Sequence, residues 1–168
     1  FNKGKYHDRQ NLGIVLDIND TIKVRLKNSS SNQKLTLRLL NNDSKTEVSK
    51  EFGVDWMVLK AEYPSVPFID TPYVNDDIKF EVEFEFSLGS KELPIYYYNN
   101  DNGSFFLKWD RMDTAFALMS LKYNQILIPK RDKDYLKSLP SLDGISLFYD
   151  DYFQFINNLT GISFDANT

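Results

Sequence analysis

The stretch DIKFEVEFEF, residues 77–86, constrains the fold more than any other. In it Phe80, Val82, Phe84 and Phe86 alternate with Glu81, Glu83 and Glu85. Successive side chains on a strand point to opposite faces, so this pattern makes a strand with one packed side and one wet side. Strands of this kind belong to antiparallel sheets that cover a core with one face. Three glutamates in a row also have the residue type for metal binding or acid–base chemistry. A charged wet face is the commoner use of the pattern.

The same period recurs along the first three quarters of the chain. TIKVRLK (21–27) sets Ile22, Val24 and Leu26 against Lys23, Arg25 and Lys27, and KLTLRLL (34–40) sets Leu35, Leu37 and Leu39 on one side. LGIVLDI (12–18) reads as a strand joined to 21–27 by a hairpin turn at Asn19 and Asp20. VDWMVLKA (54–61), LPIYYY (93–98), SFFLKW (104–109) and NQILIP (124–129) read as further strands, with NNDNGS (99–104) as a turn between two of them. SVPFIDTPY (65–73) carries prolines at 67 and 72, which remove ladder donors, so it reads as an edge or crossover segment.

The pattern then changes to helical. RDKDYLKSLP (131–140) reads as a short helix stopped by Pro140. From Ser141 onward Ile145, Phe148, Tyr149, Tyr152, Ile156 and Leu159 fall at three- and four-residue steps, an amphipathic stripe with Ser141 to cap its start and Gly161 to end it. The expected fold is therefore mainly β: an antiparallel β-sandwich over residues 1–128, followed by a C-terminal amphipathic helical segment over 129–168. That helix has a broader apolar face than a small sandwich covers, so if its partner lies in a downstream region the chain is expected to show an exposed apolar patch there or to dimerise through it. No internal repeat or low-complexity segment is present.

Composition excludes several functions. The chain has no cysteine, which removes disulfides, thiolate metal sites and cysteine nucleophiles. Its net charge of -4, with no basic run, argues against a nucleic-acid partner. No apolar run approaches the roughly 20 residues that a membrane-spanning helix needs. No signal peptide is visible, and a start at Phe1 instead of Met is expected from processing or trimming. With 42% hydrophobic residues, 13 Phe and 10 Tyr, a sizeable core is expected.

The candidate chemistry is sparse. His7 is the only histidine, and on a strand its neighbour Asp8 points to the other face, so the two do not grip one ion. Asn99, Asp101 and Gly103 loosely resemble a calcium loop, but the twelfth position is Asp110 where a bidentate glutamate is needed. Asp110 and Asp113 are a nearby carboxylate pair of the type glycosidases use, though three residues of spacing say little. There is no glycine-rich phosphate loop and no nucleophile elbow. The run Tyr96, Tyr97, Tyr98 together with Trp109 has the ring faces to stack on sugars, against the plainer reading in which alternate members lie in the core. Tyr97, Trp109 and Asp110 are the candidate substrate or glycan contacts, with no catalytic or metal-ligating residue assigned.

Several ordered segments resemble the enhancin family of secreted zinc metallopeptidases that degrade mucin-like glycoproteins. They are RQNLGIVLDINDTIKV (9–24), LRLLNNDSKTE (37–47), SVPFIDTPY (65–73), LPIYYYNNDNGSFFLKWD (93–110) and ILIPKRDKDYLKSLPSLDGISLFYDDYFQFINNLTGIS (126–163). The resemblance implies a non-catalytic N-terminal part lying upstream of the HExxH zinc motif, which this chain lacks. It implies no cofactor in this chain and a zinc in a downstream catalytic domain. The implied partners are that catalytic domain and a mucin-type glycoprotein, with no membrane or nucleic acid, and the implied location is extracellular. A free-standing glycan-binding sandwich is the other reading.

Overall fold

The computed structural model describes residues 7–27, 33–72, 79–121 and 124–161, with the side chains of residues 7, 8, 71 and 72 left out. Its elements are β1 (His7–Asn11), β2 (Ile14–Val15), β3 (Thr21–Leu26), β4 (Leu35–Leu40), β5 (Val48–Phe52), β6 (Met57–Lys60), β7 (Val66–Pro72), β8 (Val82–Phe86) and β9 (Lys91–Glu92). After them come β10 (Ile95–Tyr97), α1 (Asn102–Met112), β11 (Phe116–Ser120), β12 (Gln125–Pro129), a 3-10 turn (Lys130–Asp132), α2 (Lys133–Lys137) and α3 (Asp143–Thr160). The chain is mainly strand in antiparallel sheets, with a long C-terminal helix, as the alternation predicts.

Two compact units divide at Leu93 and Pro94. The first is a sandwich of two antiparallel sheets, ordered β1-β7-β4-β5 and β6-β3-β8, with the short pair β2-β9 beside them. Leu35, Leu37, Leu39, Phe52 and Ile69 from one sheet meet Ile22, Val24, Leu26 and Met57 from the other in a single core. Each such side chain, once buried, contributes about 1.5–3 kcal/mol, so this inner face holds the sheets together. Phe80, Val82 and Phe84 pack against the same core, while Phe86 at the strand end is exposed.

The opposite face of β3 and β8 carries a ladder of opposite charges. Lys23 stands across from Glu85 and Arg25 across from Glu83, with nitrogen–oxygen distances of 2.7 Å in both pairs. Lys27 reaches Glu81 at 2.9 Å, and that hydrogen bond raises the lysine pKa. The Trp56 ring lies beneath Lys23 and Arg25, 4.6 and 4.5 Å from its centroid. Exposed cross-strand pairs contribute roughly 0.2–1 kcal/mol each, so the glutamate row sets strand register on a wet face.

Three expectations are corrected here. The segments 12–18 and 21–27 do not form a hairpin: β2 pairs with β9, and β3 pairs with β6 and β8. The turn itself exists, with Asn19 at φ 73 and the Asp20 N–H donating to the Asp17 carbonyl, but the chain leaves it for another sheet. SVPFIDTPY is not an edge segment either, because β7 lies between β1 and β4. The Pro67 carbonyl accepts from the Leu12 N–H at 3.1 Å. A residue's N–H and C=O point the same way on a strand, so the donor that Pro67 lacks would face Leu12, just past the end of β1.

The third correction concerns the boundary. Strands β10, β11 and β12 form a sheet in which β10–β11 is parallel and β11–β12 antiparallel. Tyr96, Ala117, Met119 and Ile128 from that sheet share one core with Phe105, Trp109, Leu136 and Leu142 from the helical segments. Residues 94–128 thus belong with the helices instead of with the sandwich, and the break falls at 93/94 instead of 128/129.

α3 stops as its sequence predicts, but its N-cap is Leu142, which makes no side-chain cap bond, and Ser141 stands one residue before it. The Ser141 hydroxyl accepts from the Asp143 N–H at 3.1 Å, and Gly161 ends the helix in the left-handed region at φ 65.

Candidate functional site

The segment NNDNGSFFLKWD carries most of the candidate residues, and it folds differently from the turn-then-strand expectation. Asn99 turns the chain with φ 66, and Asp101 caps α1 by accepting from the Ser104 N–H at 2.6 Å. Phe105, Trp109 and Met112 then recur at steps of four and three, which is helical spacing. That signal was legible in the sequence but hidden behind the Asn-Gly turn signature. Asp101→Ala should lower the stability of this unit by about 1 kcal/mol, measured by urea unfolding; no change would mean that the cap is dispensable.

The helix buries Trp109 completely, at 0% exposure. Its ring meets Phe105 at 5.8 Å between centroids, Lys133 Nζ lies 5.1 Å from its centroid, and its indole N–H donates to the Thr114 carbonyl at 3.1 Å. Neither ring face is free for a sugar, so the expectation of Trp109 as a stacking residue is withdrawn on burial. Tyr96 is likewise buried, and its hydroxyl donates to Asp143 at 2.8 Å. Burial first, then that hydrogen bond, pushes the Tyr96 hydroxyl well above the ordinary phenol range. The neighbouring strand position points outward: Tyr97 is 52% exposed.

Asp110 sits one residue beyond Trp109 and is exposed. It pairs with Lys133 and, at 2.9 Å, with Lys137 of α2. The hydrogen bond from Lys133, then that from Lys137, holds its carboxyl below the usual carboxylate range. A group held ionised in this way is the opposite of a general acid. Asp113 ends α1 in the left-handed region at φ 50 and pairs with Lys130 at 2.5 Å. The two aspartates therefore clamp α1 to the 3-10 turn and α2 through separate lysines and do not converge on a common substrate atom.

This clamp has a pH signature. The depressed pKa of Asp110 means that its contribution is complete above the unfolded carboxylate value, about 3.9, and is lost as pH falls through the lower folded value. Asp110→Asn should flatten the acid limb of the stability curve, followed by urea midpoints between about pH 5 and pH 2. An unchanged acid limb would show the lysine pairs to be inconsequential.

Among the described residues, no three His, Cys, Asp or Glu side chains gather in a way that could hold a metal ion. The described side chains do not fit a zinc, and no chemical step is assigned to one here. His7 lies in β1 opposite Pro72, and its side chain falls outside the described residues.

No protein-family model matches the chain. Over 160 residues, 93% of its length, it is 28% identical to the viral-enhancing factor of Pseudalatia unipuncta granulosis virus and 27% identical to that of Heliothis armigera granulosis virus. This chain is enhancin-like. It spans 18% of the length of those enhancins. The fold resembles the catalytic module of the metalloprotease ZmpA from Clostridium perfringens, with TM-score 0.68, 13% identity, and coverage of 98% of this chain and 38% of that one. It also resembles the M60 catalytic domain of ZmpC from the same organism, in complex with the sialyl T antigen, with TM-score 0.66, 13% identity, and coverage of 97% and 37%. The enhancin-like chain thus has the fold of a part of such modules, which agrees with the ordered segments noted in its sequence.

Proposed function

We propose that this chain is the non-catalytic N-terminal part of a secreted, enhancin-like zinc metallopeptidase that acts on mucin-type glycoproteins. The observation that carries this reading is the near-complete alignment of the chain with about a fifth of the enhancins. The fold similarity to part of a catalytic module supports it. Two fold relatives are described in complex with the sialyl T and Tn antigens, which favours an O-glycosylated protein as substrate. The role of this part is to support the catalytic region or to shape one wall of its substrate cleft. The zinc ligands and the general base lie in the rest of the protein.

A free-standing glycan-binding module is the competing reading. It would have to use Tyr97, since the Trp109 ring is covered. The two readings separate in one experiment, in which mucin is incubated with the complete protein and with this chain alone, each with and without a zinc chelator. The proposal expects cleavage by the complete protein only, abolished by the chelator and restored by zinc. A complete protein that binds mucin without cutting it would defeat the peptidase reading.

A further inference from the structure

Strand β8 has one edge in use and one edge open. On the β3 side the Lys27 N–H donates to the Glu81 carbonyl at 2.9 Å and the Ser87 N–H to the Thr21 carbonyl at 3.0 Å. Glu81, Glu83, Glu85 and Ser87 are thus the hydrogen-bonded positions of that antiparallel pairing. The N–H and C=O groups of Val82, Phe84 and Phe86 therefore point away from β3. β8 is the last strand of its sheet, and among the described residues these backbone groups have no partner.

The side chains agree with the backbone. Ile22 and Val24 of β3 are fully buried, but Phe84 across from Val24 keeps part of its ring in water and Phe86 across from Ile22 is 46% exposed. The core is closed over β3 and open along β8.

Three features define what fits this edge. A row of unpaired backbone groups takes an extended strand. Side chains on the inner face of that strand must be apolar to cover Phe84 and Phe86. Those on its outer face stand opposite Glu83 and Glu85 in non-hydrogen-bonded pairs, where side chains approach most closely. Arg25 meets Glu83, and Lys23 meets Glu85, through Oε2, and no hydrogen bond is made to Oε1 of either among the described residues. A lysine or arginine there would repeat on the open edge the pairing that β3 makes on the other. A second copy of β8 would instead set glutamate against glutamate in every register that keeps the apolar faces together.

We propose that the open edge of β8 receives an extended strand, apolar on its inner face and basic opposite Glu83 and Glu85, from the part of the same protein that lies outside these 168 residues. This fold makes up only 37–38% of the catalytic modules of its fold relatives, so a comparable remainder has ample chain to supply a strand. The inference rests on the reading of this chain as part of a larger protein, and it makes β8 the strand at which the sandwich is completed.

Site-resolved hydrogen exchange on the complete protein reads the pairing one residue at a time. The N–H groups of Glu83 and Glu85 face β3 and exchange slowly whether or not the edge is filled. Those of Val82, Phe84 and Phe86 should be as slow in the complete protein, and at least about tenfold faster in this chain alone. Glu83→Gln/Glu85→Gln in the complete protein should speed exchange at Val82, Phe84 and Phe86 more than at positions 83 and 85. Fast exchange at Val82, Phe84 and Phe86 in the complete protein would overturn the proposal. So would protection that is already present in this chain alone, protection that grows with protein concentration as pairing between copies requires, or protection indifferent to the glutamine pair. No readout uses peptidase activity, so a protein that fills this edge without cutting mucin would fail the proposed function and leave this inference standing.

Discussion

Trp109→Ala should cost the Pro94–Thr168 unit about 4 kcal/mol, a large share of the stability of a small unit. Trp109 is among the largest fully buried side chains of the chain, and its removal takes away the surface on which Phe105 packs and over which Lys133 lies. The Thr114 carbonyl also loses its indole donor. Trp56 is the only other tryptophan and lies in the first unit, so fluorescence of the variant reports the sandwich alone while far-ultraviolet circular dichroism follows α1 and α3. The expected result is a large loss of helical signal in mild urea. A loss of less than about 1 kcal/mol would contradict the packing described, since truncating a buried tryptophan rarely costs so little.

Asp70→Ala should cost the sandwich about 2–3 kcal/mol. Asp70 is 5% exposed near the end of β7, where Arg9 of β1 approaches Oδ1 at 3.1 Å and Arg38 of β4 approaches Oδ2 at 2.8 Å. One carboxylate therefore ties three neighbouring strands together. Its removal strands two guanidinium groups, but Arg9 is nearly half exposed and Arg38 a quarter exposed, so both turn partly to water and the cost stays below that of a fully buried pair. Asp70→Asn keeps the shape and should lose about half as much. Urea unfolding followed by tryptophan fluorescence, to which Trp56 of the sandwich and Trp109 of the second unit both contribute, measures both as a shift of the sandwich transition, and equal stability of Asp70→Ala and wild type would show that the network is ornamental.

What could be read in advance depended on how local each signal was. The β3, β4 and β8 faces and the α3 stripe follow from side-chain periodicity, which a strand or helix imposes on its own neighbours. The pairing of β2 with β9 joins residues far apart in sequence, and nothing in LGIVLDI marks its partner. The Asn-Gly dipeptide before α1 favoured a turn, although Asp101 and Ser104 make a cap and the aromatics after them keep helical spacing. The burial of Trp109 follows from that helix, so misreading α1 also misplaced the candidate platform. Pro67 misled for a different reason: its missing donor is harmless only because β1 ends beside it, a fact of tertiary structure. The ordered segments across 9–163 carried the enhancin resemblance where no single motif could.

The most direct test of the central claim is metal analysis of the complete protein and of this chain, each dialysed free of loosely held ions. The account predicts tightly bound zinc in the complete protein and none in the 168-residue chain. A complete protein free of zinc, or a 168-residue chain that retains it, would contradict the account.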